Sequence, residues 1–212
     1  AFRATSEWED GRPNYEPDRA SRMEARAQAA GLSLQEYAYD RLLQDDGRRM
    51  FYLPAANYTE GNLSAVREML GHPDTVMALA DGGAHYGLIC DSSFPTYFLQ
   101  RWARDAAEHE RIELPKAIAE LTSKTAATVG LTDRGLLAPG MKADINVIDF
   151  DRLQLRVPEI VYDLPAGGKR MLQKVDGIVA TIVNGRITYR NGEHTGELPG
   201  RLVRRSAMQL AA

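Results

Sequence analysis

Thr75-Val76-Met77-Ala78-Leu79-Ala80-Asp81-Gly82-Gly83-Ala84-His85 joins a short apolar run to an acid, two glycines and a histidine. The run has the length of one buried strand and the glycines end it at once, so the sequence predicts a strand over 75–80. Asp81 is then offered at the carboxyl end of that strand, on flexible backbone, with the imidazole of His85 four residues on. In parallel α/β folds the loops at that end of the strands form the pocket, which makes Asp81 a candidate catalytic group. The same residues also suit a helix cap or an Asp-Gly turn, and spacing alone does not choose between these roles.

Working upstream, Leu63 to Leu70 predicts a helix closed by Gly71 and Pro73, and Met50 to Leu53 predicts a short aromatic strand ended by Pro54. Strand, helix and strand together make one βαβ unit with parallel strands. Ser33 and Glu36 have the spacing of a capping box and start a helix to Leu43, preceded by a helix from Asp18 with Met23, Ala27 and Ala30 on one face. Residues 1–17, with Gly11, Pro13 and Pro17, predict a loop. Downstream, helices are expected over Phe94 to Ala107, from Leu114-Pro115, and from near Ser123 to Gly130. Trp102 lies with Phe98 and Leu99 and is expected in the core, whereas Trp8 sits in the opening loop.

Past Leu137-Ala138-Pro139-Gly140 the pattern changes. Ala143 to Asp149 alternates in polarity, and Val179 to Val183 and Arg186 to Arg190 flank Asn184-Gly185, the strongest short-range hairpin signal. The chain is therefore expected to divide into an α/β part (1–130) and a β-rich part (131–212).

Composition narrows the classes of function. Hydrophobic residues at 44% and charged residues at 26% describe an ordinary globular protein. A formal net charge of −3 gives no electrostatic case for nucleic acid, and Arg201, Arg204 and Arg205 read as a solvated tail. No stretch approaches the ~20 apolar residues of a membrane span, so no membrane partner is expected. The single cysteine, Cys90, excludes an intrachain disulfide and suits a reducing, cytoplasmic compartment. The absence of an initiating Met leads us to expect that the chain was cut from something longer.

Four segments now stand in a recognisable order: Asp81-Gly82-Gly83-Ala84-His85; Leu121 to Leu131; Asp133-Arg134-Gly135-Leu136-Leu137-Ala138-Pro139-Gly140-Met141-Lys142-Ala143-Asp144; and Val183-Asn184-Gly185. Together they resemble the C-terminal half of the metal-dependent amidohydrolase superfamily. Tyr15-Glu16-Pro17, Asn57-Tyr58-Thr59 and Asp163-Leu164-Pro165-Ala166-Gly167-Gly168 make the chain most similar to the N-acyl-D-amino-acid deacylase (D-aminoacylase) branch. The resemblance implies an α/β fold: the C-terminal portion of a (β/α)8 TIM-like barrel over 1–130, then a small β-sandwich over 131–212. It implies Asp81 as the metal-facing residue, a general base and then general acid in amide hydrolysis, beside one or two Zn2+ ions. His85 is the candidate near it to line the substrate pocket or to support the metal-facing group, against a plain hydrogen-bonding role in the loop.

The rest of such a metal site is missing. The chain has no His-x-His pair, and His72, His85, His109 and His194 fall in different predicted elements. A barrel takes about 250 residues, more than 1–130 can supply. A catalytic zinc typically keeps three protein ligands, and Asp81 is too few. The expectation is a fragment, inactive alone, whose partner is the missing N-terminal part of the enzyme or a second copy of itself. Two alternatives stay open: a cyclic amidase of the same superfamily, dihydropyrimidinase-like or dihydroorotase-like, and a non-catalytic binding module using the β-rich part. Lys169-Arg170 after a glycine doublet suits either an anion cradle or a simple turn.

Overall fold

The computed structural model describes residues 5–8, 12–54, 56–58, 60–78 and 85–203. Two compact units divide the chain, Ala1–His72 and Pro73–Ala212. The architecture is mixed, with helices first and antiparallel sheet after them.

The first unit forms around backbone pairing that the opening residues make with later ones. Ser6 and Tyr52 exchange N–H to O=C bonds of 2.8 Å each, and Met23 N donates to Thr5 O at 2.9 Å. Met23 and Ala27 then bury one face of α1 (Met23–Ala29). Ser33 starts α2 (Leu34–Leu42) through the expected capping box: its hydroxyl accepts from Glu36 N at 3.2 Å and its own N–H reaches Glu36 Oε2 at 3.0 Å. Glu7 is buried, and its carboxylate is gripped by the Arg41 guanidinium from α2, with Nε 2.7 and 3.0 Å from the two oxygens and a further contact from Nη2. Tyr52 packs among Trp8, Tyr15 and Tyr58 at centroid distances of 5.6, 5.2 and 6.4 Å. α3 (Ser64–Gly71) closes the unit.

In the second unit, α4 (Phe94–Phe98) runs directly into a π-helical segment, Leu99–Asp105, and together they bury Phe98, Leu99, Trp102 and Ala103. α5 (Leu114–Leu121) carries the expected proline in its first turn, and α6 (Ser123–Thr128) follows. A four-stranded antiparallel sheet has the order β1 (Ile145–Ile148), β6 (Ile178–Val183), β7 (Arg186–Arg190), β8 (Glu193–His194). Asn184 and Gly185 have φ of 50° and 77°, the left-handed pair that a two-residue hairpin turn requires. β2 (Gln154–Leu155) pairs with β5 (Val175–Asp176), and β3 (Glu159–Leu164) with β4 (Gly168–Leu172). Leu153 and Leu155 are fully buried, and Arg104 ties this region to the helices by donating from Nη1 to the carbonyls of Phe150, Asp151 and Leu153 at 2.9, 3.2 and 2.6 Å.

Several expectations need correction. The strand over 75–80 does not form in its described part: 75–78 joins no ladder, and Val76 is 38% exposed. Met50 to Leu53 contributes only the Tyr52 bridge. No parallel βαβ unit exists among the described residues, where every strand pair is antiparallel. The physical reason is edge pairing: a central parallel strand needs hydrogen-bonded neighbours, and no described strand flanks either segment. The opening residues, read as a loop, are buried at Thr5, Ser6 and Glu7 because they pair with Tyr52 and α1. The first helix starts at Met23, after the Asp18–Ser21 turn, and Ala30 lies off its buried face.

Gly177 (φ 90°) lies where an added Cβ would stand 2.7 Å from both the N and Cα of Leu153. Gly177→Ala therefore meets both left-handed backbone strain and an overlap with backbone that cannot rotate away. It should cost about 3 kcal/mol, measured by urea unfolding of the second unit. A loss below about 1 kcal/mol would contradict the packing described.

Candidate functional site

Asp81, the sequence's principal candidate, lies in 79–84, outside the described residues. The structure describes the loop that follows it. His85 has φ 54° and is exposed, and its carbonyl accepts from Leu88 N at 2.8 Å and Ile89 N at 3.0 Å, so it opens a single tight turn. The next residue anchors that turn: Tyr86 O accepts from Met171 N of β4 at 2.5 Å. A Cβ placed on Gly87 would stand 3.9 Å from Lys169 Cε. Arg170, beside Lys169, holds Asp163 of β3 through two parallel bonds of 2.8 and 2.7 Å. That pairing keeps the Asp163 carboxyl below its usual range through the Arg170 hydrogen bond. Arg170 is thus occupied by a carboxylate of its own hairpin, and Lys169-Arg170 is strand rather than the anion loop weighed from sequence.

Cys90 is half-buried, and burial followed by the charge of Asp91 raises its thiol pKa, which keeps it protonated. His109 is exposed. His72 caps the end of α3. His194 lies in β8 with its ring 5.1 Å from Tyr189. The histidines are not brought together, and among the described residues no group of three or more His, Cys, Asp or Glu is placed to hold a metal ion. Those residues therefore do not fit a zinc site by themselves.

The segment 133–144 does a structural job. Arg134 bridges Asp133 and Asp144 at 3.0 and 3.1 Å, and Lys142 Nζ meets Asp133 at 2.7 Å. Asp144 also accepts from Asn184 N at 2.8 Å, and Gly185 N donates to Ala143 O at 2.9 Å, which binds the segment to the β6–β7 turn. A cavity of this unit, about 740 Å3, is lined by these residues and by 199–203. Asp133, Arg134, Lys142 and Asp144 at its wall already pair with one another.

Comparison with known proteins decides the family. Residues 7–189 match the model of the amidohydrolase family. The chain belongs to that family. Among curated proteins, this amidohydrolase is 34% identical over 112 residues to the N-acyl-D-glutamate deacylase of Alcaligenes xylosoxydans xylosoxydans, covering 53% of the chain and 20% of that protein. It is 38% identical over 97 residues to the N-acyl-D-aspartate deacylase of the same organism (45% and 18%), and 29% over 115 residues to the dihydroorotase of Lactobacillus johnsonii (52% and 25%). The matched part therefore spans a quarter or less of these relatives' length. A solved D-aminoacylase mutant in complex with CuCl2 is 24% identical, with a TM-score of 0.49, covering 95% of this chain and 38% of that one.

What sequence reasoning missed is the grip of the β3–β4 hairpin on the loop after Asp81. The only available signal was the opposed charges of Asp163 and Arg170 on either side of Pro165-Ala166-Gly167. An acid titration followed by NMR tests the 133–144 network. Hydrogen bonds from Arg134 and then Lys142 pull Asp133 from 3.8 down to about 2 in the folded chain. Because the folded value is depressed, the network's contribution is present above about pH 4 and is lost as pH falls through about 2. Arg134→Ala should return the Asp133 midpoint toward 3.8, and an unshifted midpoint would show that the pairing does not hold in solution.

Proposed function

We propose that this chain is part of a hydrolase that cleaves the amide bond of N-acyl-D-amino acids, with Asp81 as the proton-transferring carboxylate. The observation that carries the reading is the family match over residues 7–189, which includes Asp81, together with the 34% and 38% identities to two N-acyl-D-amino-acid deacylases. In this reading Asp81 ends the last strand of a (β/α)8 barrel. It takes the proton of the water that adds to the amide carbonyl, then gives that proton to the departing nitrogen as the C–N bond breaks. One carboxylate can serve both steps because each leaves it in the state the other needs. The same reading assigns His85, four residues on in sequence, to the lining of that mouth.

Zn2+ is the ion this family reading implies, and ligands beyond the described residues would have to hold it. The remaining strands are proposed to come from a polypeptide extended on the N-terminal side, or from a second copy. A second reading, a dihydroorotase-like cyclic amidase, is favoured by matches of 29% and 31% identity to two Lactobacillus dihydroorotases. Both reactions open a C–N bond next to a carbonyl, so a substrate panel of N-acetyl-D-amino acids and dihydroorotate separates them.

The 212-residue chain with added Zn2+ should show no turnover of N-acetyl-D-amino acids, whereas the extended polypeptide should turn them over. In that longer form Asp81→Asn should lower kcat by roughly 10²–10⁴-fold. Full activity in the variant would remove Asp81 from the chemistry, and turnover by the isolated chain would remove the need for a partner. Light scattering of the isolated chain should show species above 23.5 kDa if a second copy is that partner. A monodisperse monomer would leave only the extended polypeptide.

A further inference from the structure

Two of the segments that narrow the family resemblance, Tyr15-Glu16-Pro17 and the one containing Tyr58, meet in the first unit at a cavity of about 170 Å3. Pro17, Pro54 and the Tyr58 ring form its apolar walls, and Arg19, Arg22 and Glu60 supply its charges. Neither arginine forms an ion pair with any described residue. The neighbouring acids are engaged elsewhere: Asp18 Oδ1 accepts from Ser21 N at 2.7 Å, and Glu16 Oε1 accepts from Leu63 N at 3.1 Å. Gly61 leaves room for the Arg22 guanidinium, whose Nη2 lies 3.1 Å from where a Cβ would stand. The Tyr58 hydroxyl is 2.7 Å from that of Tyr52, and burial, the largest influence, raises its pKa, so it remains a proton donor.

Two planar cations present paired N–H groups that match a carboxylate. Glu60 at the same cavity disfavours a doubly charged anion such as phosphate and suits an ammonium group. The proline and tyrosine walls accept a small apolar body, and the volume excludes a large one. We propose that this cavity binds a small free α-amino acid, with its carboxylate between Arg19 and Arg22 and its ammonium against Glu60. The site rests on first-unit residues alone and does not depend on the assignment of Asp81.

Titration of the 212-residue chain with alanine, acetate and inorganic phosphate, read by calorimetry and by the fluorescence of Trp8 stacked on Tyr52, tests it. Alanine should bind saturably, one per chain, and more tightly than acetate or phosphate. Arg19→Gln should weaken alanine at least tenfold, and Glu60→Gln should abolish the preference for alanine over acetate. Both positions are exposed, so circular dichroism should show the fold intact. No saturable binding of alanine, unchanged affinity in Arg19→Gln, or acetate or phosphate binding as tightly as alanine would each overturn the proposal.

Discussion

The guanidinium of Arg104 is the fastening on which the second unit depends. It sits at the end of the π-helical segment and gives one nitrogen to three carbonyls of the 150–153 turn. Carbonyls lowered into a protein interior must find donors or forfeit the hydrogen bonds that water gave them. Arg104 supplies those donors just where Leu153 and Leu155 pass into the core. Gln100, one helical turn earlier, supplies the complementary acceptor to the following strand, taking the hydrogen bond from Leu155 N at 3.1 Å. Helices and sheet in this unit are thus joined by polar side chains reaching backbone, with leucine packing filling the space between.

That arrangement explains which elements could be read from the residues. The Asn184-Gly185 hairpin, the Ser33–Glu36 capping box and the proline start of α5 were legible because each is decided within a few neighbouring residues. Trp102 was legible as core because Phe98 and Leu99 share its face. The expected strand at 50–53 is reduced to the Tyr52 bridge and 75–78 joins no ladder, because a strand exists only with a partner, and composition cannot say whether one is present. Thr5 to Glu7 were misread for the converse reason: polar, irregular sequence became interior through pairing with Tyr52, far along the chain. At the candidate site, the residue types around Asp81 were legible, whereas the grip of β4 on Tyr86 was invisible because it is a backbone bond and leaves no mark in side-chain identity.

The motif segments divide by the work they do. Asp133, Arg134, Lys142 and Asp144 look chemically rich in sequence, yet in the structure their charges pair with one another and with the hairpin turn. Exposed pairs of this kind contribute little energy individually. Their value here lies in register: Asp144 accepts from Asn184 N, and Ala143 O from Gly185 N, so the chain enters β1 aligned against β6. A segment that marks a family can therefore mark how the chain crosses from helices to sheet.

The Asp163–Gly168 segment extends that reasoning toward the chemistry. Ala166 and Gly167 both hold left-handed φ, 56° and 71°, which brings Asp163 and Arg170 face to face across the hairpin. The locked hairpin offers the N–H of Met171 to Tyr86, only five residues beyond Asp81. Under the proposed role of Asp81, its carboxylate must be held within a fraction of an ångström of its working position, and the glycines that follow it in sequence supply no such constraint. Rigidity has to be lent from outside the loop. The β3–β4 hairpin holds Tyr86, and under the proposed role of Asp81 that gives the Asp163–Gly168 run a physical reason to accompany it in one chain.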